Sequence, residues 1–377
     1  MFAKLWDKLM ENVDGTLMLL AVLVLAAGLF TLYSASDESP ARVMAQLANI
    51  AIAFVVMWVA AQVPPQTLMR FALPVYAVGL VLLIAVAVAG EVVNGARRWL
   101  HVGLVRFQPS EMMKIAMPLM LAWYFHRREA ALGVRDYVVA ALVLLVPTLL
   151  IARQPDLGTA LLVLAAGFYV IFLAGLSWRL IIPVVALVAI GTAALIWFEP
   201  HICQTDLNWP GLKDYQKARV CTLLDPSTDP LGRGFHIIQS TIAVGSGGFL
   251  GKGWLEGTQA HLEFIPERAT DFIFAVYSEE FGLAGNLLLV LLYLGLIGRG
   301  LVIAAGAPSF FARLLAGAIT LTFFTYAFVN MGMVSGILPV VGVPLPLVSY
   351  GGTALVTLFV GLGILMSIHR HRKLVQT

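Results

Sequence analysis

The chain has 377 residues, of which 60% are apolar and 12% carry a charge. Soluble globular domains carry about 25% charged residues, so the composition excludes an ordinary water-covered domain. The net charge of +3 is too small for a typical nucleic-acid-binding protein. Two cysteines cannot build a disulfide scaffold, and the seven histidines show no metal-ligand spacing. The sequence therefore predicts an all-α polytopic membrane protein, long enough for about ten transmembrane helices of roughly 20 residues each.

Ten spans are predicted in chain order, most of them from intervals without charge. Spans one to seven are predicted over about residues 16–198. Their intervals are Gly15–Ser36, Val43–Met69, Phe71–Gly90, a short fourth span beginning near Ser110, Tyr137–Ala152, Leu157–Trp178 and Leu180–Phe198. Spans eight to ten fall within residues 271–369, with intervals Phe281–Gly298, about 314–334 and about 350–369. Glycine and proline between the last two predict an irregular turn, which at membrane depth needs cover from protein or a wet cavity. Residues 1–377 are predicted to form a single membrane domain.

Lysine and arginine assign the two sides of the membrane. Basic residues lie between spans four and five, six and seven, and eight and nine, and in the tail 370–377. All of them fall on the side that carries the N-terminal Lys4 and Lys8. The positive-inside rule makes this side cytoplasmic, so both termini are predicted to be cytoplasmic. The large loop 199–270, between spans seven and eight, is then extracytoplasmic.

Two local features are expected in this outer loop. Cys203 and Cys221 both lie in it, in an oxidising compartment if the topology holds. A disulfide between them is one hypothesis and two free thiols are the other, which a free-thiol count distinguishes. The segment Asp214–Leu224 predicts a short helix, either an amphipathic one on the membrane surface or an ordinary loop helix.

Four cations lie on or beside the short outer loop between spans three and four: Arg97, Arg98, Arg106 and Lys114. They oppose the positive-inside trend, so a specific partner is expected to maintain them there. An anionic ligand would do so, and phosphate is the anion that arginine recognises best. Alternatively they pair with lipid phosphates or with Glu91 and Glu111. Glu111 and Lys114 lie one turn apart on one helix face at the membrane edge.

Two aspartates begin helices on the same outer side. Asp156 follows Pro155 and would cap span six, although the neighbouring Arg153 makes capping an incomplete explanation. Asp271 enters span eight and would also serve as a cap. The pair Glu279 and Glu280 lies about 12–14 Å further along that helix, where carboxylates are costly unless they face a polar cavity. A wet, outward-opening cleft is therefore predicted, with Asp271 at its mouth as a candidate general base.

Several ordered motifs resemble one family across the chain, from about span one to the tail. They read NGARRWL, VRFQPSEMMK, PTLLIARQPDLGT, DPLGRGFHIIQSTIAVGSGGFLGKG, GTQAHLEFIPERATDFIF and GILPVVGVPLPLVSYGGT. These motifs resemble the SEDS family of shape, elongation, division and sporulation proteins. Overall similarity is greater to the elongation branch, RodA, than to the division branch, FtsW.

The resemblance implies a peptidoglycan glycosyltransferase of the bacterial cytoplasmic (inner) membrane that uses lipid II at its periplasmic face. It would join sugars by β-1,4 linkage with inversion at the anomeric carbon. Asp271, in the TDFIF motif, would be catalytic, and the cations would stabilise the pyrophosphate leaving group. Glu111 and Asp156 would orient those cations or assist a divalent ion, Mg²⁺ or Mn²⁺. The residues expected to bind substrate are Arg97, Arg98, Arg106, Gln108, Glu111, Lys114, Asp156, Glu267 and Arg268.

The resemblance also implies partners, and two other functions remain open. A class B penicillin-binding protein would supply the transpeptidase, with other elongation-complex proteins and membrane lipids around it; no nucleic acid is expected. A lipid II flippase would suit membrane charges and a broken span, but it needs ionisable residues at mid-membrane and on both faces. A non-catalytic scaffold would explain a partner but not clustered charges. In this sequence, the outer face is predicted to hold five ionisable residues: Arg97, Arg106, Glu111, Asp156 and Asp271. Their position on one face favours a reaction at that face.

Overall fold

The computed structural model describes residues 13–93, 96–102, 105–198, 201, 203, 214–226, 233–261 and 267–372. These residues form a predominantly helical membrane bundle, as the composition predicts, with a small sheet in an outer loop. Lys4, Lys8 and the end of the tail, which helped to assign the sides of the membrane, lie outside the described residues.

The first half of the described chain holds seven long helices: α1 Gly15–Ala35, α2 Pro40–Gln62, α3 Pro65–Ala89, α4 Pro109–Arg127, α5 Val134–Arg153, α6 Leu157–Leu173 and α7 Trp178–Trp197. Three short helices follow: α8 Asp214–Leu224, α9 Arg233–Ser246 and α10 Thr258–His261. The last three are long: α11 Ile273–Ala305, α12 Phe310–Val334 and α13 Thr353–His371. Asp14, Asp156 and Ser309 cap α1, α6 and α12 by accepting a backbone N–H of the first turn.

Eight of the described helices are long and apolar enough to cross a membrane: α1, α2, α3, α5, α7, α11, α12 and α13. The predicted sixth span, α6, is apolar but has 17 residues. The predicted fourth span, α4, carries Glu111 and Lys114 in its first turns. The multi-pass fold is thus confirmed, whereas the total of ten spans stays a prediction.

The helices differ strongly in burial. α12 packs against α4, α6, α11 and α13, and most of its side chains are buried. α7 buries no residue, and Leu187 and Trp197 on it are 71% and 82% exposed. Exposed apolar area of this extent is typical of a surface that contacts lipid. α12 is therefore the centre of the bundle and α7 its periphery.

A small antiparallel sheet occupies the outer loop between α3 and α4, where the sequence analysis placed no strands. Its strands are β1 Glu91–Val93, β2 Ala96–Val102 and β3 Val105–Phe107, with β2 in the middle. Leu100 pairs with Phe107 across β2 and β3. Three-residue strands interrupted by arginine carry too little alternation to predict a sheet from sequence. The sheet positions the predicted cations at the end of the bundle where α4 begins.

The irregular turn predicted between spans nine and ten is present at residues 335–352. Gly336 and Gly342 adopt positive φ values of 73° and 72°, which side chains with a Cβ rarely tolerate. Protein covers the turn: the hydroxyl of Tyr293 on α11 donates to the carbonyl of Pro346 at 2.6 Å, and Leu345 is buried. The expectation that membrane-depth irregular backbone needs such cover is met.

α11 is broken at Gly282, where the backbone leaves the helical region at φ 62°. Residues 247–253, named the kink loop, fill the break. The N–H groups of Leu283 and Ala284 donate to the carbonyls of Gly248 and Phe249, each at 2.9 Å. In return, Lys252 N and Gly253 N donate to carbonyls that α11 can no longer satisfy. The kink loop thus replaces the lost helical hydrogen bonds.

The outer loop contains a disulfide, one of the two alternatives for its cysteines, and a short helix. Cys203 and Cys221 form a disulfide, so the alternative of two free thiols is wrong for this structure. The segment Asp214–Leu224 is helix α8. Most residues around Cys203 lie outside the described ranges, so the surface on which α8 lies stays a prediction.

Candidate active site

Asp271 lies in the turn 267–272, which connects the outer loop to α11. Gly342 of the irregular turn lies against its carboxylate, since a Cβ at Gly342 would be 3.2 Å from Oδ2 of Asp271. Phe272, rather than Asp271, is the N-cap residue of α11, and no side chain caps this helix end. The capping alternative for Asp271 is therefore wrong, and its carboxylate is not engaged in holding the helix.

Side chains from α12 and from the irregular turn hold the backbone around Asp271. Asn330 Nδ2 donates to the Asp271 carbonyl at 2.8 Å and to the Val343 carbonyl at 2.7 Å. Ser349 Oγ donates to the Thr270 carbonyl at 2.6 Å. Because Asn330 bridges both segments and is fully buried, the position of Asp271 is fixed by residues about 60 to 80 positions later in the chain.

The electrostatic environment of Asp271 suits a proton acceptor. Burial raises the pKa of its carboxyl to about 6, and the negative charge of Glu267 adds to this increase. A carboxylate with a pKa near 6 is ionised at neutral pH yet more basic than an ordinary aspartate. The carboxylate of Asp271 thus has the basicity that a general base requires.

The start of α6 brings a second group of predicted residues close to Asp271. The carboxylate of Asp156 caps α6 through Thr159 N at 3.2 Å and also accepts from Gln108 Nε2 at 2.9 Å. Gly158 packs on the irregular turn, because a Cβ there would lie 2.7 Å from the Val341 carbonyl. Val341 neighbours Gly342. Asp156 therefore both caps its helix, as the simpler interpretation held, and lies beside the turn that contacts Asp271.

The predicted cations differ in their contacts and in their exposure. Arg98 donates to the carbonyls of Pro155 and Gln154 and so ties β2 to the start of α6. Arg97 is exposed. Arg268 forms an ion pair with Asp37, in the turn between α1 and α2. The side chain of Arg106 lies outside the described side chains.

Lys114 and Glu111 form a buried ion pair inside the bundle. Lys114 Nζ lies 2.5 Å from Glu111 Oε1 and donates to the hydroxyl of Tyr326 at 2.7 Å. Tyr326 is on α12, one turn before Asn330, which holds the Asp271 backbone. The interpretation that Glu111 pairs with a cation is confirmed for Lys114. Through α12, this pair is connected to the Asp271 turn.

Among the described residues, Glu279 and Glu280 are buried and do not face the wet cleft that was predicted beside them. Glu279 is fully buried and accepts from Lys252 Nζ at 2.6 Å, Thr258 Oγ1 at 3.0 Å and Gln259 N at 3.1 Å. Glu280 accepts from the hydroxyl of Ser34 on α1. The prediction was wrong because the outer loop folds back onto α11 and supplies the polar partners that water was expected to supply.

Several residues of the site escaped the sequence analysis, and each carried a weak signal. Asn330 is a polar residue inside a long uncharged interval, which is a reason to suspect a specific role. Ser349 and Gly342 lie in the glycine- and proline-rich break. His236 stacks on Phe272, with ring centroids 5.9 Å apart, and its only signal in the sequence is that it is one of seven histidines without metal-ligand spacing.

A metal ion finds no ready site in the described part of the chain. No group of three or more histidine, cysteine, aspartate or glutamate side chains there is arranged to hold one. The two carboxylates proposed to assist a divalent ion are already engaged, Asp156 with Gln108 and Glu111 with Lys114. The described residues therefore do not fit a resident metal.

An apolar cavity of about 330 Å³ lies between α11 and α12. It begins at Phe274, three residues after Asp271, and its other lining residues include Tyr293, Phe324, Phe328 and Met331. Phe324 and Phe328 stack at 5.6 Å and are 43% and 54% exposed, so the cavity opens to the surroundings of the bundle. The helices that form it are the two that position Asp271 and Asn330.

Solved structures with the same fold are similar along almost the whole chain. A peptidoglycan synthase complex, described by its structural coordination of polymerization and crosslinking, contains a chain with a TM-score of 0.78 and 36% identity. It covers 97% of this chain and 99% of that one. The rod shape determining protein RodA of Thermus thermophilus has a TM-score of 0.69 and 30% identity over 95% of this chain and 97% of that chain.

Sequence relatives agree with the structural ones. The peptidoglycan glycosyltransferase MrdB of Escherichia coli K12 is 51% identical, covering 98% of this chain and 96% of that protein. The peptidoglycan glycosyltransferase RodA of Treponema pallidum is 34% identical, covering 78% of this chain and 82% of that protein. The family model for the FtsW, RodA and SpoVE cell cycle proteins matches residues 10–374. This chain therefore belongs to the FtsW/RodA/SpoVE family of multi-pass membrane proteins.

Proposed function

We propose that this protein is a peptidoglycan glycosyltransferase that polymerises lipid II into β-1,4 glycan strands during cell elongation. The observation that carries the proposal is the carboxylate of Asp271, which has a raised pKa, lies against Gly342 and does not cap α11. The names of its relatives, peptidoglycan glycosyltransferases, support the same activity.

In the proposed reaction, the 4-hydroxyl of the acceptor sugar attacks the anomeric carbon of the donor. The new C–O bond forms as the bond to pyrophosphate breaks, and the electron pair leaves with the undecaprenyl pyrophosphate. Asp271 accepts the hydroxyl proton. Because the attacking oxygen and the leaving group lie on opposite faces of the carbon, the configuration inverts.

The leaving pyrophosphate gains negative charge, which fixed cations would stabilise. Arg97 and Arg106 on the sheet are proposed for this role. Lys114, also expected there from the sequence, is buried and paired with Glu111, so we propose that it supports the site through Tyr326 on α12. Arg98 and Gln108 act on the structure that presents them, since they bond to the start of α6. Glu267, whose charge raises the pKa of Asp271, and Arg268 complete the proposed substrate-binding set.

We place the Asp271 face on the periplasmic side and both termini in the cytoplasm, on the basis of the positive-inside rule. A class B penicillin-binding protein is the proposed crosslinking partner, supported by the similarity to a synthase complex that couples polymerization to crosslinking. Its membrane helix would dock in the cavity between α11 and α12. A helix bound there would contact the two elements that position Asp271, which offers a route for activation.

The test is polymerisation of labelled lipid II by the purified complex, with penicillin present to block crosslinking. Wild type, Asp271→Asn and the exposed-loop control Glu256→Gln are compared as glycan ladders. We expect ladders from wild type and the control and none from Asp271→Asn. Ladders from Asp271→Asn would refute the proposed base. No ladder from any variant, with the complex intact, would favour a flippase or a scaffold.

A further inference from the structure

α9 and the kink loop run beside α11 from the level of Asp271 down along the bundle. His236, near the start of α9, stacks on Phe272 at the beginning of α11. After α9 ends at Ser246, the backbone of Gly248 and Phe249 bonds to Leu283 and Ala284. The segment therefore extends along α11 from Phe272 to Leu283. These positions are about 11 residues apart, which corresponds to about 16 Å along the helix axis.

The depth of the kink loop can be measured from the opposite end of the bundle. There the carboxylate of Asp14, at the start of α1, pairs with Arg299 of α11 at 2.5 Å. Such a charged pair marks the edge of the hydrocarbon core, because charges within it are costly. Ala284 precedes Arg299 by about 15 residues, which is about 22 Å of helix. A typical hydrocarbon core is about 30 Å thick.

A second helix gives a similar depth when it is counted from the same charged pair. Trp254, just after the kink loop, donates its indole N–H to the carbonyl of Phe30 on α1 at 3.1 Å. Phe30 follows Asp14 by about 16 residues, or about 24 Å of helix. Both measurements put the kink loop about 6–8 Å inside a core of about 30 Å, and any helix tilt would put it deeper.

The exposed surface of the kink loop has the chemistry of a lipid contact. Phe249 and Leu250 at its tip are 66% and 77% exposed. They continue the exposed apolar surface of α11, where Leu283 and Leu287 are 49% and 52% exposed. The backbone hydrogen bonds to the broken α11 satisfy polar groups of the loop, which is the condition for irregular backbone at membrane depth.

We propose that residues 247–254 form a re-entrant segment whose tip, Phe249 and Leu250, contacts the lipid acyl chains of the leaflet at the Asp271 end. The outer loop is then not wholly extramembrane. It enters the leaflet through α9, turns at Phe249 and Leu250, and leaves it after Trp254. This assignment rests on depth and exposure and is independent of the catalytic activity.

Nitroxide labels on single cysteines test the proposal, since the two native cysteines are joined in a disulfide. The variants Phe249→Cys and Leu250→Cys are labelled in phosphatidylethanolamine and phosphatidylglycerol liposomes. Leu287→Cys on α11 is the lipid-facing control, and Glu256→Cys, exposed in the same loop, is the aqueous control. Power-saturation electron paramagnetic resonance then compares collisions with oxygen, which concentrates among acyl chains, and with a water-soluble nickel chelate.

We expect labels at 249 and 250 to collide with oxygen as the label at 287 does, and at least several-fold less with nickel than the label at 256. If the labels at 249 and 250 collide with nickel as often as the label at 256, the proposal is overturned and the loop lies in water. Protection from both reagents would also overturn it, because the tip would then be covered by protein. Thermal unfolding of each labelled variant verifies that the fold is retained.

Discussion

At the scale of single residues, the carboxylate of Asp271 determines how activity should vary with pH. It accepts a proton only when ionised, and its pKa is raised to about 6 by burial and by Glu267. Polymerisation should therefore increase as the pH rises through about 6 and then level off. Glu267→Gln removes the neighbouring negative charge, so the midpoint should move to lower pH. A pH–rate profile of each purified complex measures the shift.

Glu256→Gln is the matched control for that profile, because it removes an exposed carboxylate of the same outer loop. Its midpoint should coincide with that of wild type. An unchanged midpoint in Glu267→Gln, or an equal change in the control, would show that the activity does not follow the ionisation of Asp271.

A second residue-scale prediction concerns the buried pair of Glu111 and Lys114. Replacing one partner leaves the other charge buried without its counter-ion, which costs about 3–5 kcal/mol. Lys114→Met should thus destabilise the protein strongly, and the double variant with Glu111→Gln should recover much of the loss. Thermal unfolding in detergent measures both. A double variant as unstable as Lys114→Met alone would argue against charge pairing as the reason.

The residues of the site were predictable only where a motif or a charge marked them. Asp271, Asp156 and Lys114 stand out as charged groups at the ends of apolar spans, whereas Gln108 is marked only by its motif. Asn330 did not, because its role is to bond two backbone carbonyls that sequence cannot place side by side. Pairings between side chains were also hidden, since the contact of Arg268 with Asp37 joins distant segments.

At the scale of elements, the break in α11 depends on one glycine. Gly282 has a positive φ, and a Cβ there would overlap with the backbone nitrogen of Gly251 in the kink loop. Gly282→Ala should therefore cost at least about 1–3 kcal/mol from backbone strain alone. It should also expose the kink loop to proteolysis. Unfolding temperature and limited proteolysis provide the two measurements.

Gly298→Ala is the control within the same helix, because nothing lies within 4 Å of a Cβ at that position. Alanine is the better helix former, so this variant should be as stable as wild type or slightly more stable. Equal behaviour of the two alanine variants would contradict the structural requirement for the break.

The cavity between α11 and α12 offers another prediction at this scale. Phe328→Ala should weaken co-purification of the class B partner and reduce partner-stimulated polymerisation, because Phe328 lines the proposed docking site. Phe168→Ala on α6 is the control, since Phe168 is 41% exposed and also stacks on a neighbouring phenylalanine. A raised KM for lipid II with partner binding intact would instead assign the cavity to the lipid tail.

At the scale of the whole molecule, three helices are joined at the end opposite Asp271. Asp14 at the start of α1 bonds to Arg299 on α11, and His369 on α13 lies 3.3 Å from the same carboxylate. Burial alone would raise the pKa of Asp14, but the hydrogen bonds from Arg299 and Leu17 N, with the charges of Arg299 and His369, lower it in net. The ionised form is thus the stabilising one.

The Asp14→Asn side chain can still accept a hydrogen bond from a backbone N–H in the first turn of α1. It loses the negative charge that pairs with Arg299. Its cost should be about 1.5–3 kcal/mol, the range for hydrogen bonds to charged groups. Since the folded pKa lies below 3.8, the difference from wild type should be complete above that pH. It should disappear as the pH falls through the folded pKa. Unfolding temperatures across this range measure it, and a difference that persists in acid would contradict the ionic explanation.

The order of spans was accessible from the sequence because hydropathy and charge act locally along the chain. The way the outer loop folds back onto α11 was not, because it arises from contacts between distant segments. Glu279 illustrates the gap: its charge correctly indicated a need for polar partners, but those partners are Lys252, Thr258 and Gln259 rather than water.

The dependence of the Asp271 turn on Asn330 and Ser349 has a consequence for biosynthesis. A chain emerging from the ribosome exposes Asp271 well before it contains the residues that hold it. Domains generally fold from the N-terminus during synthesis, but this site cannot be completed until α12 and the irregular turn have been inserted. A truncated chain that ends before residue 330 retains the carboxylate without its support. The nascent protein therefore acquires its active geometry only after α12 and the irregular turn have joined the bundle.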